Sequence, residues 1–183
     1  MKANSAIHDS AIHTGAELEN TSVNMRILGI DPGLANTGWG VLDNIGGKIR
    51  YVAHGVIETK ADIPRSDRLF YILQSIRRII DEYNPAQAAI ETLYFGRNVS
   101  SAIPVAEARG VISAAIAERG IPLCELTPNN IKLGVTGHAG ADKKQVQEMT
   151  RIILSLKEVP KPDHAADALA AAICAINAEL TIA

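Results

Sequence analysis

The order of apolar patterns along this chain constrains its fold more than any other feature. Three strand-like runs come first, at residues 26–31, 37–43 and 49–58, and helix-like and strand-like patterns alternate after them. Residues 43–47 end in two glycines and predict a hairpin turn between the second and third strands. An antiparallel start followed by helix–strand alternation favours a central sheet covered by helices. The sequence therefore predicts a three-layer α/β domain.

The rest of the pattern supplies two more strands and four helices. Apolar residues at helical spacing between Leu69 and Ile80 predict a helix that begins at Pro64 and ends before Asn84. A later helix carries many alanines together with Gly110, so another element must approach it closely. The remaining predicted elements are strands at 87–93 and 121–126 and helices at 99–119, 143–156 and 164–178.

Acidic residues stand at the ends of these elements. Asp31 closes the first strand, and Glu91 follows the apolar run of the fourth. If those strands are adjacent and parallel, both carboxylates lie at one edge of the sheet. His164 and Asp167 are three residues apart at the start of the last helix and therefore face one direction. A carboxylate at the end of a buried strand is costly unless something cationic compensates it.

Each of these residues also has a purely structural interpretation. Asp163 follows a proline and is a good helix N-cap residue. Asp167 can pair with a cation, and Asp31 can stabilise a turn ahead of Pro-Gly. His164 alone is typical of a half-buried, hydrogen-bonded histidine. The combination of all of them favours a metal site.

Carboxylate oxygens are the ligands that Mg²⁺ and Mn²⁺ prefer, with phosphate oxygens and water completing the shell. Two such ions about 4 Å apart activate a water and stabilise the leaving oxygen of a phosphodiester. Several carboxylates are needed to hold two cations against their mutual repulsion, and a nitrogen ligand at His164 shifts the preference towards Mn²⁺. The sequence predicts Mg²⁺ or Mn²⁺, with two ions in each subunit.

The charge distribution is compatible with nucleic acid as a partner. The formal net charge is −2, and residues 1–24 account for all of it because they hold one lysine against three acids. A neutral domain still binds nucleic acid where its cations are grouped. Residues 132–161 hold six cations against three acids. This segment is either a basic surface beside the metal site or a solvated helix face.

The sequence does not favour a membrane or a disulfide framework. Cys124 and Cys174 are isolated, so we expect buried, reduced thiols in a cytoplasmic protein. No apolar run approaches the length of a membrane span. Residues 1–24 are polar and lack the apolar core of a signal peptide. We expect them to be a disordered extension, or the product of an upstream start codon, ahead of one domain at 25–183.

Four motifs in one register resemble a known family. They are ILGIDPG at 27–33, IE at 90–91, ARGV at 108–111 and DHAADAL at 163–169. Together they are similar to the RuvC family of crossover junction endodeoxyribonucleases, over about residues 25–177. The resemblance implies a ribonuclease H-like fold, with a five-stranded mixed sheet flanked by helices. It also implies symmetric, metal-dependent cleavage of opposing strands of a four-way (Holliday) DNA junction during recombination and repair.

The resemblance also implies a role for each matched position. The family's third ligand is Asp in some members and His in others, and it falls on His164, with Asp163 beside it as a secondary candidate. Two active-site lysines fall on Lys132 and Lys143, where an ammonium neutralises the phosphate and the charge of the transition state. The implied catalytic metal ligands are Asp31, Glu91, His164 and Asp167.

The segment after the second acid is an implied DNA contact. The family's aromatic residue at this point corresponds to Tyr94, with Phe95 next to it. Stacking of an aromatic ring on an unpaired base is worth about 1–3 kcal/mol. Arg97 and Asn98 follow as contacts to the DNA backbone. Packing in the core or at its rim is the alternative role for Tyr94.

The resemblance further implies partners. The small-residue helix at 99–119 forms the interface of a homodimer, whose two-fold symmetry matches that of a four-way junction. The branch-migration proteins RuvA and RuvB are expected to act with it. No membrane partner is expected.

Two other functions fit parts of the sequence. Residues 31–33 with 37–38 resemble the first phosphate loop of nucleotide-binding ATPases and sugar kinases. Such proteins generally need two domains of this kind to close on a nucleotide, and this chain supplies one. A non-catalytic junction-binding module is the second alternative. Such a module is expected to have lost at least one metal ligand, whereas the whole set is present.

Overall fold

The computed structural model describes the backbone of residues 25–92 and 99–182, and the side chains of 25–92 and 102–178. These residues form five strands and five helices, in nearly the predicted order. The strands are β1 (Met25–Asp31), β2 (Asn36–Ile45), β3 (Lys48–Glu58), β4 (Gln87–Glu91) and β5 (Leu123–Leu126). The helices are α1 (Arg65–Tyr83), α2 (Val99–Glu118), α3 (Pro128–Thr136), α4 (Lys143–Ile153) and α5 (Asp163–Ile182).

The five strands form one mixed sheet in the order β3-β2-β1-β4-β5. β1, β2 and β3 pair in antiparallel fashion, whereas β4 lies parallel to both β1 and β5. The predicted five-stranded mixed sheet is confirmed. Its antiparallel part comes from the hairpins at the start of the chain, and its parallel part comes from the helical crossovers that follow.

The hairpin between β2 and β3 is tighter than predicted. The ladder continues to the pair Ile45–Lys48, so Gly46 and Gly47 alone form the turn. Both glycines have positive φ angles, 61° and 76°. A two-residue turn with this geometry matches the right-handed twist of the strands, and glycine adopts it without strain.

Helices cover both faces of the sheet. Side chains alternate along β1, so Ile27 points to one face and Leu28 to the other. The Ile27 face packs against α5, supported by α3 and α4, and the Leu28 face packs against α1 and α2. Each face carries its own apolar cluster. The molecule thus has the three layers that the sequence predicts.

The backbone of α5 lies directly against the sheet. A Cβ atom on Gly29 of β1 would overlap the carbonyl oxygen of Ala168, and it would lie 2.8 Å from the backbone nitrogen of Ala172. A Cβ atom on Gly38 of β2 would overlap the carbonyl oxygen of His164. Only glycine fits at these two points, and the small residues of α5 complete the contact.

The opposite face of the sheet carries Trp39, the single tryptophan of the chain. Its ring belongs to the apolar cluster under α1 and α2 and lies 5.6 Å from the ring of Tyr83, centroid to centroid. A Cβ atom on Gly55 of β3 would lie 2.7 Å from the indole ring. Trp39 is therefore held between a neighbouring strand and the end of α1.

Helix α3 was not predicted, although its end signals are present in the sequence. The side chain of Thr127 accepts a hydrogen bond from the backbone nitrogen of Asn130 at 3.1 Å, and Pro128 is the first helical residue. Gly137 ends the helix in the left-handed conformation, with φ of 73°. Nine residues give too short a periodic pattern to be recognised without these caps.

Several element ends differ from prediction for local reasons. β5 begins at Leu123 rather than at 121, because Pro122 cannot donate to the sheet. α4 ends at Ile153 rather than at 156, and Ser155 just beyond it has a positive φ of 52°. β4 ends at Glu91, and residue 93 lies outside the described residues.

Neither of the two cysteines, both of which lie in the described part of the chain, forms a disulfide bond. Cys174 is buried as predicted, and its Sγ donates a hydrogen bond to the carbonyl oxygen of Asn130 at 3.2 Å. Cys124 is only half-buried, so the expectation of full burial was wrong for it. In the described part of the chain, no helix has both the length and the apolar character needed to cross a membrane.

Candidate active site

Two carboxylates end adjacent parallel strands at one edge of the sheet. β1 and β4 pair in register through Ile30 and Ile90, and each strand ends one residue later, at Asp31 and at Glu91. Ala89, two residues before Glu91, packs on the α5 face. Because side chains alternate along a strand, both carboxylates also point to the α5 side. The structure therefore brings the two acids together beneath the start of α5.

The first turn of α5 adds a histidine and a third carboxylate. Nδ1 of His164 lies 2.7 Å from Oδ2 of Asp31. A carboxylate only accepts, so the ring donates to Asp31 in the form that carries a proton on Nδ1. Asp167 follows one turn later, and its charge acts on both Asp31 and Glu91. The contact of α5 with Gly38 fixes the height of this turn above the sheet.

Two lysines reach the same place from α3 and α4. Nζ of Lys143 donates to Oδ2 of Asp167 at 3.0 Å. The backbone at Lys143 is fixed because Asp142 and Gln145 form a capping box at the start of α4. Lys132 of α3 lines a cavity of about 220 Å³ together with Glu91, Lys143 and Asp167. The structure thus places both predicted lysines beside the acids.

The electrostatics of the site reflect burial and crowding of negative charge. Burial raises the pKa of Asp31 above its ordinary value, although the hydrogen bond from His164 opposes the shift. Burial, together with the charges of Asp31 and Asp167, raises the pKa of Glu91 to about 7. The carboxylate of Glu91 makes no hydrogen bond or ion pair with a described residue. Of the three carboxylates, those of Asp31, Glu91 and Asp167, the charge of Glu91 is therefore the least compensated.

Lys143 supplies the main local compensation. Burial lowers the pKa of its ammonium, but the contacts with Asp167 and Asp163 outweigh this effect and raise the pKa overall. The ammonium is 3.3 Å from Oδ2 of Asp163. Asp163 was predicted as a helix cap or a secondary metal ligand, yet α5 begins at Asp163 itself and its carboxylate faces Lys143.

The donors fit a hard divalent cation. Three carboxylates and an imidazole suit Mg²⁺ or Mn²⁺, and a bound cation relieves the repulsion that raises the pKa of Glu91. Across residues 25–92 and 99–182, no three acidic, histidine or cysteine side chains form a ready-made ligand group. His164 is turned towards Asp31, and Asp167 is turned towards Lys143. Holding an ion requires these side chains to leave their present partners.

Four predicted DNA contacts lie outside the described residues. They come three to seven residues after Glu91 in the sequence. They are Tyr94, Phe95, Arg97 and Asn98.

One feature of the site was not predicted from the sequence. The ammonium of Lys143 lies between the carboxylates of Asp163 and Asp167, which are one helical turn apart. Residues at i and i+4 of a helix lie on the same face. Their common partner depends on how α4 packs against α5, and residues 154–162, which join these helices, carry no pattern that predicts it.

Comparison with known proteins identifies the family. The profile of the family described as crossover junction endodeoxyribonuclease RuvC matches residues 27–175. The chain belongs to the RuvC family. RuvC proteins of Treponema denticola and Chloroflexus aggregans are 49% and 50% identical to it, over 151 and 150 residues. Each alignment covers 82% of this chain, and 85% and 92% of the relatives.

A solved RuvC structure has the same fold. Thermus thermophilus RuvC, in complex with a Holliday junction substrate, is similar with a TM-score of 0.81 and 34% identity. The likeness covers 86% of this chain and 96% of that one. The predicted three-layer, ribonuclease H-like α/β fold is thereby confirmed, and the predicted resemblance to the RuvC family is confirmed with it.

Proposed function

We propose that this chain is a divalent-metal-dependent endonuclease that resolves four-way (Holliday) DNA junctions by paired cleavage of opposing strands, in recombination and repair. Membership of the RuvC family supports the reaction. The T. thermophilus relative in complex with a Holliday junction substrate supports the choice of DNA. The observation that carries the proposal is the meeting of three carboxylates at one edge of the sheet, those of Asp31, Glu91 and Asp167.

The geometry of the site supports a proposed set of four metal ligands. Asp31 and Glu91 stand on two rigid, hydrogen-bonded strands, whereas His164 and Asp167 stand on the first turn of a helix packed against them. When bound, two Mg²⁺ or Mn²⁺ ions in each subunit activate water and stabilise the leaving oxygen of the phosphodiester. The proposed ligand set is Asp31, Glu91, His164 and Asp167.

The two lysines bind the scissile phosphate in this proposal. Lys143 and Lys132 line the cavity that also holds Glu91 and Asp167. The ammonium of Lys132 makes no hydrogen bond or ion pair with a described residue, so it is available to a phosphate oxygen. An ammonium at this point stabilises the negative charge that develops in the transition state.

The residues after Glu91 are proposed to contact the junction. The resemblance to the family supports base stacking by Tyr94 with Phe95, and backbone contacts by Arg97 and Asn98. Stacking on an aromatic ring is insensitive to sequence because every base has a π face. Such a contact suits the unpaired bases at the centre of a junction.

A homodimer is proposed through α2. One side of this helix packs into the core, whereas its other side exposes an apolar stripe at helical spacing. A Cβ atom on Gly110 would meet nothing within 4 Å, and Ile103 is 48% exposed. A second copy of the chain would cover this stripe. Its members are Ile103, Ala106, Gly110, Ala114 and Ala117.

A charge on the stripe tests the dimer. Ile103→Asp is expected to shift the protein from dimer to monomer, as measured by sedimentation velocity at micromolar concentration. Ile152→Asp is the matched control, because Ile152 is 50% exposed on α4. A dimer that survives Ile103→Asp would place the interface elsewhere. By family resemblance, we further propose that the dimer acts with the branch-migration proteins RuvA and RuvB.

One experiment tests the activity. A four-way junction labelled on each strand in turn is incubated with the protein and Mg²⁺, Mn²⁺ or EDTA, and the products are resolved by strand. Symmetric nicks on two opposing strands, dependent on the metal, are expected. Tight junction binding without any nick would instead indicate the non-catalytic alternative. ATP binding at micromolar affinity would favour the nucleotide-binding alternative.

A further inference from the structure

The carboxylate of Asp163 forms an ion pair with Lys143 at the margin of the catalytic centre. The side chain of Asp163 is 67% exposed, and its Oδ2 lies 3.3 Å from Nζ of Lys143. The same ammonium lies 3.0 Å from Oδ2 of Asp167, whose side chain is 28% exposed. Lys143 is thus shared between an inner acid, which belongs to the proposed metal site, and an outer acid, which does not.

A divalent ion bound in the site would weaken the inner contact. A divalent ion at Asp167 competes with the ammonium for the same carboxylate, and the two cations repel each other. Lysine has a long flexible stem, so an ammonium without a partner loses its fixed position readily. Only the outer acid remains to hold Lys143 near the site.

We propose that Asp163 is a positioning residue that keeps the Lys143 ammonium at the mouth of the site when a divalent ion occupies Asp167. The inference rests on the proposed function, because it gives Lys143 a phosphate to meet. Asp163 neither binds the ion nor touches the reacting atoms. Its contact with Lys143 compensates for the contact with Asp167 that the ion weakens.

The backbones at both ends of the contact are well anchored. The side chain of Asp142 accepts from the backbone nitrogen of Gln145, and the backbone nitrogen of Asp142 donates to the side-chain oxygen of Gln145 in return, each at 2.9 Å. Lys143 follows directly after this cap. At the start of α5, the backbone nitrogen of Ala165 donates to the carbonyl oxygen of Pro162 at 2.9 Å. Only the two side chains need to move when the ion enters.

The position of Lys143 is measured directly by its chemical reactivity. The full-length protein is treated with formaldehyde and a borohydride reagent, with and without Mg²⁺, and the methylation rate of Lys143 is followed by mass spectrometry of its peptide. An ion pair keeps the amine protonated and slows the reaction. With saturating Mg²⁺, Asp163→Asn is expected to raise this rate about two- to fivefold over wild type.

Two variants control for charge and geometry. Glu158→Gln removes a charge from an exposed acid that has no ion pair with a described residue, and it is expected to leave the rate unchanged. Asp163→Glu keeps the carboxylate and is expected to restore protection of Lys143. Equal rates in wild type and Asp163→Asn, with Mg²⁺ bound, would overturn the proposal.

Kinetics supply a second readout on junction cleavage. Asp163→Asn is expected to lower kcat about two- to fivefold and to leave KM unchanged or lower, because removing a negative charge favours DNA binding. In a Lys143→Met background the same substitution is expected to have no further effect on kcat. An equal loss in both backgrounds would show that Asp163 acts without Lys143. If wild type cleaves no junction, the proposed function fails, while the methylation rates still decide the role of Asp163.

Discussion

The contact between β1 and α5 has two parts of opposite character. Around Gly29 the strand and helix backbones touch, and the helix residues that face it, Ala168 and Ala172, are small and buried. Two residues further along the strand, the same two elements present Asp31 and His164, with two further acids beside them. The first part is dry and apolar, and the second is charged and open to solvent.

The difference shows how the protein holds like charges close together. Glycine and alanine allow the backbones to approach so closely that α5 has no room to shift against the sheet. Repulsion among the acids therefore cannot be relieved by moving the helix away. It is relieved by cations instead, by Lys143 in the metal-free protein and by a divalent ion in the proposed catalyst.

The largest expected effect concerns the charged part alone. Asp31→Asn keeps the shape of the side chain but removes a negative charge, so we expect cleavage to fall about a thousandfold or more, equivalent to about 4 kcal/mol. Junction affinity should survive because it depends on shape and on phosphate contacts. Nicking assays and gel-shift titrations measure the two properties. Unimpaired cleavage by this variant would remove Asp31 from the proposed ligand set.

The dry part is tested by adding one methyl group. Gly29→Ala forces the new Cβ into the backbone of α5, so we expect the free energy of unfolding to fall by about 3 kcal/mol in urea titrations. With both substitutions made in the Ile103→Asp background, which removes the proposed dimer contact, Gly110→Ala is the control, because its Cβ meets nothing within the subunit and a change below about 1 kcal/mol is expected. Equal effects of the two substitutions would mean that the β1–α5 contact is looser than described.

The stability of the two parts changes in opposite senses: an added methyl group destabilises the dry part, whereas loss of a charge stabilises the charged part. The raised pKa of Glu91 means that the folded protein holds a proton more tightly than the unfolded chain does. Ionisation of Glu91 therefore destabilises the metal-free fold progressively as pH rises from about 4.5 to about 7. We expect Glu91→Gln to stabilise the metal-free protein by about 2 kcal/mol at pH 8 and to abolish cleavage.

Thermal unfolding in EDTA at pH 5 and pH 8 measures this effect. The stabilising effect of Glu91→Gln should be small at pH 5, where Glu91 already carries its proton. Stabilisation of equal size at both pH values would show that something other than the charge of Glu91 is responsible.

The smallest expected effect is on metal affinity. Below pH 7, ion binding must displace a proton from Glu91, so we expect Mn²⁺ affinity to rise up to about tenfold for each pH unit and to level off above pH 7. Calorimetric titrations in buffers of different ionisation enthalpy measure the released protons. If Mn²⁺ affinity rises as steeply with pH in Glu91→Gln as in wild type, the displaced proton comes from another group.

The fold was largely predictable because it depends on periodic patterns. The apolar runs that end at Asp31 and Glu91 have strand periodicity, and a parallel pairing of those strands places both acids at one edge. The start of α5 was predicted to within one residue, at 164 rather than Asp163. Helix α3 was missed, because it is only nine residues long and its periodic pattern is weak.

The details of the site were less predictable because they depend on long-range packing. The sharing of Lys143 between Asp163 and Asp167 requires α4 to lie beside α5, two helices that residues 154–162 join. His164 faces Asp31 because of its side-chain rotamer, and the two residues are 133 positions apart in the sequence. Neither feature has a local sequence signal.

The place of Trp39 gives the protein a built-in optical reporter. The indole is the chain's only one, and it lies on the face of the sheet opposite to α5, among the residues that pack under α1 and α2. Its emission should follow the integrity of the sheet while remaining insensitive to events at the acidic edge. Fluorescence can therefore separate a variant that has unfolded from one that is folded but inactive, without labelling the protein.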